Sequence, residues 1–475
     1  MEQINNLNIA DIIFSQVLAK SELTRINTAQ KFRAFYDNDY LKIVDYLKED
    51  VLDRPFEQDT LNKLRFQHLD IIKKAISRSS AGIYDLDPIR ILKKKDGTSD
   101  DTLPDILRQV DYTQKVKEAF RKGIFFNLCL AHPIQRDGIT EIDLCTPDEF
   151  VVYTKNNYLK IKEIALARSD GKDIYTVVWN KSEHYKLDVN SSKVPVDGNP
   201  NMINPYGVVP FATLRIKEGL DFYGEPNWNL LLNQIAIDIK LTDLDYTEIQ
   251  QNFGVWFGIN TDLGNEQKFD PGTLIQINGA TNERGEYSPS LANIVPQINW
   301  EAHNDNIDWR IKTTLLAEGL SGSSVSMDTK VLSGSAKSLD EIELQEKREN
   351  YKALLIKFEL ELLDIFREVW NYNNPREKLS DGKFEVSFSK EKPHETIDEK
   401  AKRRIMEKKF FIGDEIDFIM EDRGLDETKA IEYLEERKKR KIDLGLEDST
   451  VLENFNQNKT LVDMPDDGKM MENKN

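Results

Sequence analysis

The residues best equipped for covalent chemistry are present in this chain but stand at unproductive spacings. The five histidines, His68, His132, His184, His303 and His394, lie far apart, and none sits at metal-ligand spacing from another. Zinc or another transition metal needs several donors converging on one point. The two cysteines, Cys129 and Cys145, do not form a CxxC pair and read as free thiols of a reducing compartment. There is no GxxxxGK[ST] phosphate loop, no GxSxG nucleophile turn and no HExxH zinc helix. Asp37, Asp39, Asp100 and Asp101 could approach a cation only if their loops converged, and solvated loop acids are the simpler reading. DLGNE at 262–266 falls short of a calcium loop, and the run EERKKRK at 435–441 fits the solvated C-terminal end of a helix. The sequence therefore assigns no catalytic residue, no metal and no cofactor.

Two other groups stand out by type. Asp238, Asp243, Asp245 and Glu248 fall on one predicted helix, dispersed around its apolar stripe. Residues 319–337, GLSGSSVSMDTKVLSGSAK, are short and permissive: Ser321, Gly322, Ser323, Ser324, Ser326, Ser333 and Gly334, with Lys330 and Lys337 among them.

Those groups need elements to hold them. Apolar spacings predict helices in the first 130 residues, at Leu41, Ile43, Val44 and Leu47 and again from Leu61 to Ile72. A polar loop over Lys93–Asp105 precedes a helix from Ile106 to Phe126. EFVVYT, YLKIKEIALA, IYTVVWN and VVPFATLRI read as strands, the last with Pro210 at a bulge or edge. A helix over Pro226–Gln251, short strands over 253–300 and a helix over Asp305–Leu320 follow. Ser338 and Glu341 form a capping-box pattern. They open the strongest helix signal, in which Tyr351, Leu354, Leu355, Phe358, Leu362, Ile365, Phe366, Val369 and Trp370 recur at i, i+3, i+4 and i+7 up to Tyr372. KFEVSFS reads as a strand, short helices follow, and the polar end is expected to be disordered.

The chain has 475 residues, a net charge of -18 and a sequence pI near 5.0. Proteins that grip nucleic acid usually carry a basic face, because Lys and Arg displace condensed counterions. An acidic chain either never meets nucleic acid or lets it slide. No apolar run reaches membrane-spanning length, and no signal peptide is expected at the start.

The order of elements and several local strings resemble the portal proteins of tailed bacteriophages, the head-to-tail connectors. NPYGVVPF at 204–211 with FYGEPN at 222–227 resembles the approach to the first stem helix. LSGSAKSL at 332–339 is similar to the turn before the long wing helix, departing from it in Ser335 before Ala336 and Lys337 directly after. KFEVSFSKEKPHETIDEKAKRRI and FIGDEIDFIMEDRGLDETKAIEYLEERK are similar to the strand and helices that follow. The resemblance covers about 200–440.

It implies an α+β, portal-like fold with a mainly helical wing and crown, paired stem helices, a small β-containing clip and a long kinked wing helix. Wing would span 1–225, first stem helix 226–252, clip 253–303, second stem helix 304–320, tunnel loop 321–336, long wing helix and strand 337–389, crown 390–445 and tail 446–475. It implies a ring of about twelve copies at one capsid vertex, closed head-to-tail. The implied partners are duplex DNA in the channel, the terminase large subunit, a head-tail adaptor, and the major capsid and scaffolding proteins, with no membrane. The protein would be made in the bacterial cytoplasm and reside in the virion. It would help nucleate the procapsid and would not be an enzyme. The alternatives are another phage head or tail component, such as a head-completion or baseplate protein, a metal-dependent nuclease, or a helical cytosolic binding protein.

The long-helix pattern makes a stability prediction. Alanine at Leu355, Phe358 or Leu362 should each cost about 2–5 kcal/mol, whereas changes in the charged first half should be tolerated. Thermal melts with equal losses in both halves would contradict the pattern.

Overall fold

The computed structural model of the chain describes residues 20–51, 64–84, 86–154, 159–169, 174–188, 192–253, 255–259, 274–277, 290–294, 299–320, 342–388, 397–410, 412–423 and 427–443. Among them lie eleven helices and several mostly antiparallel sheets, a mixed α+β architecture. Contacts divide the chain into two units, 1–331 with 336–392, and 332–335 with 393–475.

The first unit begins with α1 (Lys20–Asp37), α2 (Tyr40–Val51) and α3 (Ile71–Ser80). The apolar spacing from Leu61 predicted a longer third helix, but the backbone from Leu64 to Asp70 is not helical. Asp70 caps α3 by accepting from the Lys73 N–H at 2.8 Å, which fixes the first turn at Ile71. Next come β1 (Ile89–Lys94), α4 (Leu103–Gln109) and α5 (Tyr112–Phe126). The single helix expected over Ile106–Phe126 is thus two. It breaks where Asp111 adopts a left-handed conformation, φ 55°.

The β-rich part contains β2 (Leu128–Arg136), β3 (Ile139–Cys145), β4 (Phe150–Thr154), β5 (Ile161–Ser169), β6 (Ile174–Asn180), β7 (His184–Leu187), β8 (Lys193–Val194) and β9 (Ala212–Arg215). Strands β4 to β8 form one antiparallel sheet in sequence order, and β2 is central to the second, ordered β3-β2-β9. The alternation of β2 divides two cores: Cys129 and Ala131 join the main helical core, while Leu128 and Leu130 face the core under the five-stranded sheet. Strand β9 starts at Ala212, so Pro210 precedes it instead of bulging it. Helix α1 is tied to this region by Arg33, paired with Asp148 and Glu149 at 3.0 Å each, and by Arg25, stacked over Tyr223 at 3.7 Å.

Helix α6 (Trp228–Phe253), the strands β10 (Val255–Ile259), β11 (Leu274–Ile277) and β12 (Ser290–Ile294), α7 (Trp300–Ala317), α8 (Ile342–Asn373) and β13 (Gly382–Ser387) complete the unit. The helix expected over Asp305–Leu320 starts earlier, at Trp300, because Asn299 caps it through the Ala302 N–H. Along α8, Tyr351, Leu355, Phe358, Leu362, Phe366, Val369 and Trp370 are buried, as the periodicity predicts. Glu359 is buried among them and receives Arg90 from β1, with Tyr84 and Tyr112 close by. Burial pushes the Glu359 carboxyl upward in pKa, and Arg90 opposes that shift. Strand β13 pairs antiparallel with β1, Phe384 opposite Leu92.

The second unit contains α9 (Ile397–Lys409), α10 (Glu415–Arg423) and α11 (Glu427–Asp443). Arg403 and Arg404 pair with Glu421 and Asp422 between α9 and α10. The expected disordered tail, 446–475, and the capping-box residues Ser338 and Glu341 lie outside the described residues.

In the β-sheet core His132 is buried with no hydrogen-bond partner at either ring nitrogen among the described residues, and burial pushes its pKa down to about 3. A base depressed in the folded state stabilises fully above its unfolded pKa, near 6.5, and loses that stability as pH falls toward the folded value. Between roughly pH 6.5 and 3, His132 should therefore remove about 1.4 kcal/mol of stability per pH unit. Urea titrations across that window should show a shallower slope in His132→Phe. An unchanged slope would contradict the assignment.

Candidate functional site

Helices α6 and α7 run antiparallel. Asn227, just before α6, donates to Glu318, just after α7, at 2.9 Å. Lys240 meets Asn306 midway, and Trp300 at the start of α7 donates to Gln251 near the end of α6 at 2.9 Å. The far ends are joined through residues 254–299, which carry the three-stranded sheet ordered β11-β10-β12. Leu230, Leu231, Ile235 and Ile237 embed α6 in the main core, whereas Leu232, Trp309 and Leu316 remain exposed on the helix pair.

One face of α6 is a polar ladder built at helical spacing: Gln234, Asp238 and Thr242, all buried. It holds the irregular backbone before α3. Thr242 accepts the Gln67 N–H at 2.9 Å, and Asp238 accepts the Leu69 N–H at 3.1 Å. Gln234 accepts the Ile71 N–H at 2.9 Å and donates to the Leu69 carbonyl at 2.7 Å and to Asp238 at 2.8 Å. His68 Nδ1 lies 2.7 Å from the second Asp238 oxygen. Burial raises the Asp238 pKa, and its hydrogen bonds, His68 first, pull it back.

The four acids expected on one outward face therefore part company. Asp238 is fully buried, its carboxylate committed to the ladder. Asp243 and Asp245 are half-buried, the latter within 3.5 Å of the Gln67 amide, and Glu248 is exposed. The correction has a simple cause. A residue four positions from a buried Gln and four from a buried Thr shares their face, and that face points inward.

A second junction closes the other end of the pair. Glu318 is buried after the last turn of α7, and Gly319 beside it has φ 74°. Lys347, on the first turns of α8, donates to the Glu318 carbonyl at 2.7 Å and reaches its carboxylate at 3.4 Å. Residues 321–341 form the segment that joins α7 to α8 in sequence. Ser321, Gly322, Ser323, Ser324, Ser326, Lys330, Ser333, Gly334 and Lys337 belong to it and lie outside the described residues.

The approach to α6 explains one glycine-bearing string. In FYGEPN, Gly224 has φ 63°, and a Cβ there would lie 2.2 Å from the Asn127 amide. Asn127 at the end of α5 donates to the carbonyls of Lys217 and Tyr223. Sequence reasoning missed Gln234, Thr242, Glu318 and Lys347. The +4 recurrence of polar residues through an otherwise apolar stripe was the available signal for the first two. Nothing local marked the others.

Among the described residues no group of three or more His, Cys, Asp or Glu could hold a metal ion, and no helix is long and apolar enough to cross a membrane. No family model matches the chain, and no curated protein matches it. Among solved structures it is similar, at 9% identity and a TM-score of 0.37, to a chain from the neck of an empty GTA particle computed with C6 symmetry. That likeness spans 72% of this chain and 84% of the other.

The ladder predicts a graded response. Asp238→Asn keeps an acceptor for Leu69 and Gln234 and should be nearly neutral. Asp238→Leu strands two buried donors and should cost about 2–4 kcal/mol. Denaturant titrations in which Asp238→Leu matches the parent would contradict the ladder's role.

Proposed function

We propose that the protein is a phage portal: a ring-forming conduit for duplex DNA at one capsid vertex, without catalytic activity. The observation that carries this reading is the antiparallel pair of α6 and α7, closed at one end by Asn227 and Glu318 and tied there to α8 by Lys347. Such a hairpin of helices can project a short-side-chain loop toward an axis when copies close head-to-tail. The family resemblance of LSGSAKSL and FYGEPN supports the same assignment. So does the exposed apolar set Leu232, Trp309 and Leu316, which a neighbouring copy could cover.

On this reading α6 and α7 are the stem, the sheet of β10, β11 and β12 belongs to the clip, and α8 crosses the wing. Helices α9, α10 and α11 form the crown. The clip would dock the terminase motor during packaging and the head-tail adaptor afterwards, and the ring would nucleate the procapsid with capsid and scaffolding proteins. Glu248, with Asp243 and Asp245, would turn weak negative potential toward the DNA, so that phosphate slides without release of many counterions. The loop residues from Ser321 to Lys337 would meet the duplex.

Deleting Ser323 to Thr329 should leave oligomer formation intact while impairing DNA packaging or retention. Size-exclusion chromatography and a packaging assay on the same variant test this. Loss of assembly, or normal packaging by the deleted ring, would reject the loop assignment.

A further inference from the structure

A cleft of about 900 Å³ opens in the first unit between strands β5 to β7, residues 196–206 and the end of α8. Its frame is built in advance. Trp179 stacks on His184 at 3.4 Å and lies parallel to Tyr206 at 5.9 Å. Asn199 donates to the carbonyls of His184 and Ile203, and Asn204 donates to those of Asn180 and Val208. Preformed concavities with placed polar groups are typical of binding sites.

Two independent features describe an occupant. The first is charge. In a chain of net charge -18, three cations, Arg136, Arg168 and Lys186, line the cleft, and among the described residues Asp197 is the acid of its lining. Asp143, behind the wall, orients both arginines, with Glu141 also on Arg136. Lys186 reaches the almost fully exposed Asp197 only at 3.5 Å. The second feature is His132, in the floor, with both ring nitrogens covered and unpartnered, stacked on Phe211 at 4.1 Å. Packing alone would be served as well by phenylalanine, without stranded polar atoms. A neutral imidazole carries one donor and one acceptor, the pair that a peptide group complements. At the rim Ile203 and Tyr372 are both exposed.

We propose that this cleft docks an extended acidic peptide of a partner protein, its carboxylates on Arg168 and Lys186 and an apolar side chain against Ile203 and Tyr372. A nucleobase is the less favoured occupant, because Trp179, His184 and Tyr206 stack on one another and leave Tyr372 at the rim as the exposed ring. The proposal does not rest on the channel reading.

The test uses the full-length chain and fluorescein-labelled peptides in polarisation titrations. The probes are a peptide alternating Asp or Glu with Phe and Leu, an all-Glu peptide, a peptide alternating Lys with Phe and Leu, and a single-stranded oligothymidylate of similar length. The first should bind tightest. Lys186→Glu and Arg168→Gln should each weaken it about tenfold or more, with folding verified by thermal melts. His132→Phe should raise the melting temperature yet weaken the peptide, which a purely structural histidine would not do. Equal binding of the all-Glu, Lys-containing or oligothymidylate probe overturns the proposal. So does an acidic-peptide affinity indifferent to Lys186→Glu, Arg168→Gln or His132→Phe, or no binding at all.

Discussion

An irregular stretch of backbone can be buried only if something answers its N–H and C=O groups, and here Gln234, Asp238 and Thr242 do so. The rest of the first unit follows from that constraint. With Gln67 to Ile72 held on α6, the start of α3 is placed, and α3 packs with α5 in the main core. Helix α6 then belongs at once to that core and to the pair with α7, and α7 is carried to α8 by Glu318 and Lys347. A displacement of α6 would have to break buried hydrogen bonds before it moved any exposed surface.

The middle of α8 is held by a different device. Glu359 and Arg90 form a buried ion pair whose Coulomb gain is set against desolvation of both groups. Arg90 also donates to Thr113 at 2.9 Å, so one guanidinium links β1, α5 and α8. Phenylalanine and leucine neighbours supply most of the burial energy there, while the charged pair fixes which turn of α8 faces β1. The two anchors, at Asp238 and Glu359, share a pattern: each is a carboxylate on an apolar helix face, and each joins that helix to a distant part of the sequence.

What the sequence disclosed, and what it hid, follows the same division. The stripe from Tyr351 to Trp370 was legible because burial on one helix face repeats at a fixed interval. Strands β5 and β6 were legible because β-branched and aromatic residues crowd between turn residues. The run from Leu61 to Ile72 misled, because apolar spacing cannot reveal that the side chains of a helix some 170 positions later supply the backbone partners. Strand β1, IRILKK, was hidden by its lysines, and its pairing with β13 spans nearly three hundred positions. Of the candidate site, the acids of α6 were found by type, but the burial of Asp238 depended on tertiary contacts. The contact of Glu318 with Lys347, 29 positions away, has no local signature.

The channel reading depends on one physical claim: identical acidic chains close around an axis, with the α6 and α7 hairpins side by side. The most direct measurement is native mass spectrometry of the purified full-length protein, with electron micrographs of the same sample. The account predicts a discrete closed oligomer of about twelve copies with a central hole in top views. A monomer at high concentration, or an open assembly without an axial hole, would contradict it.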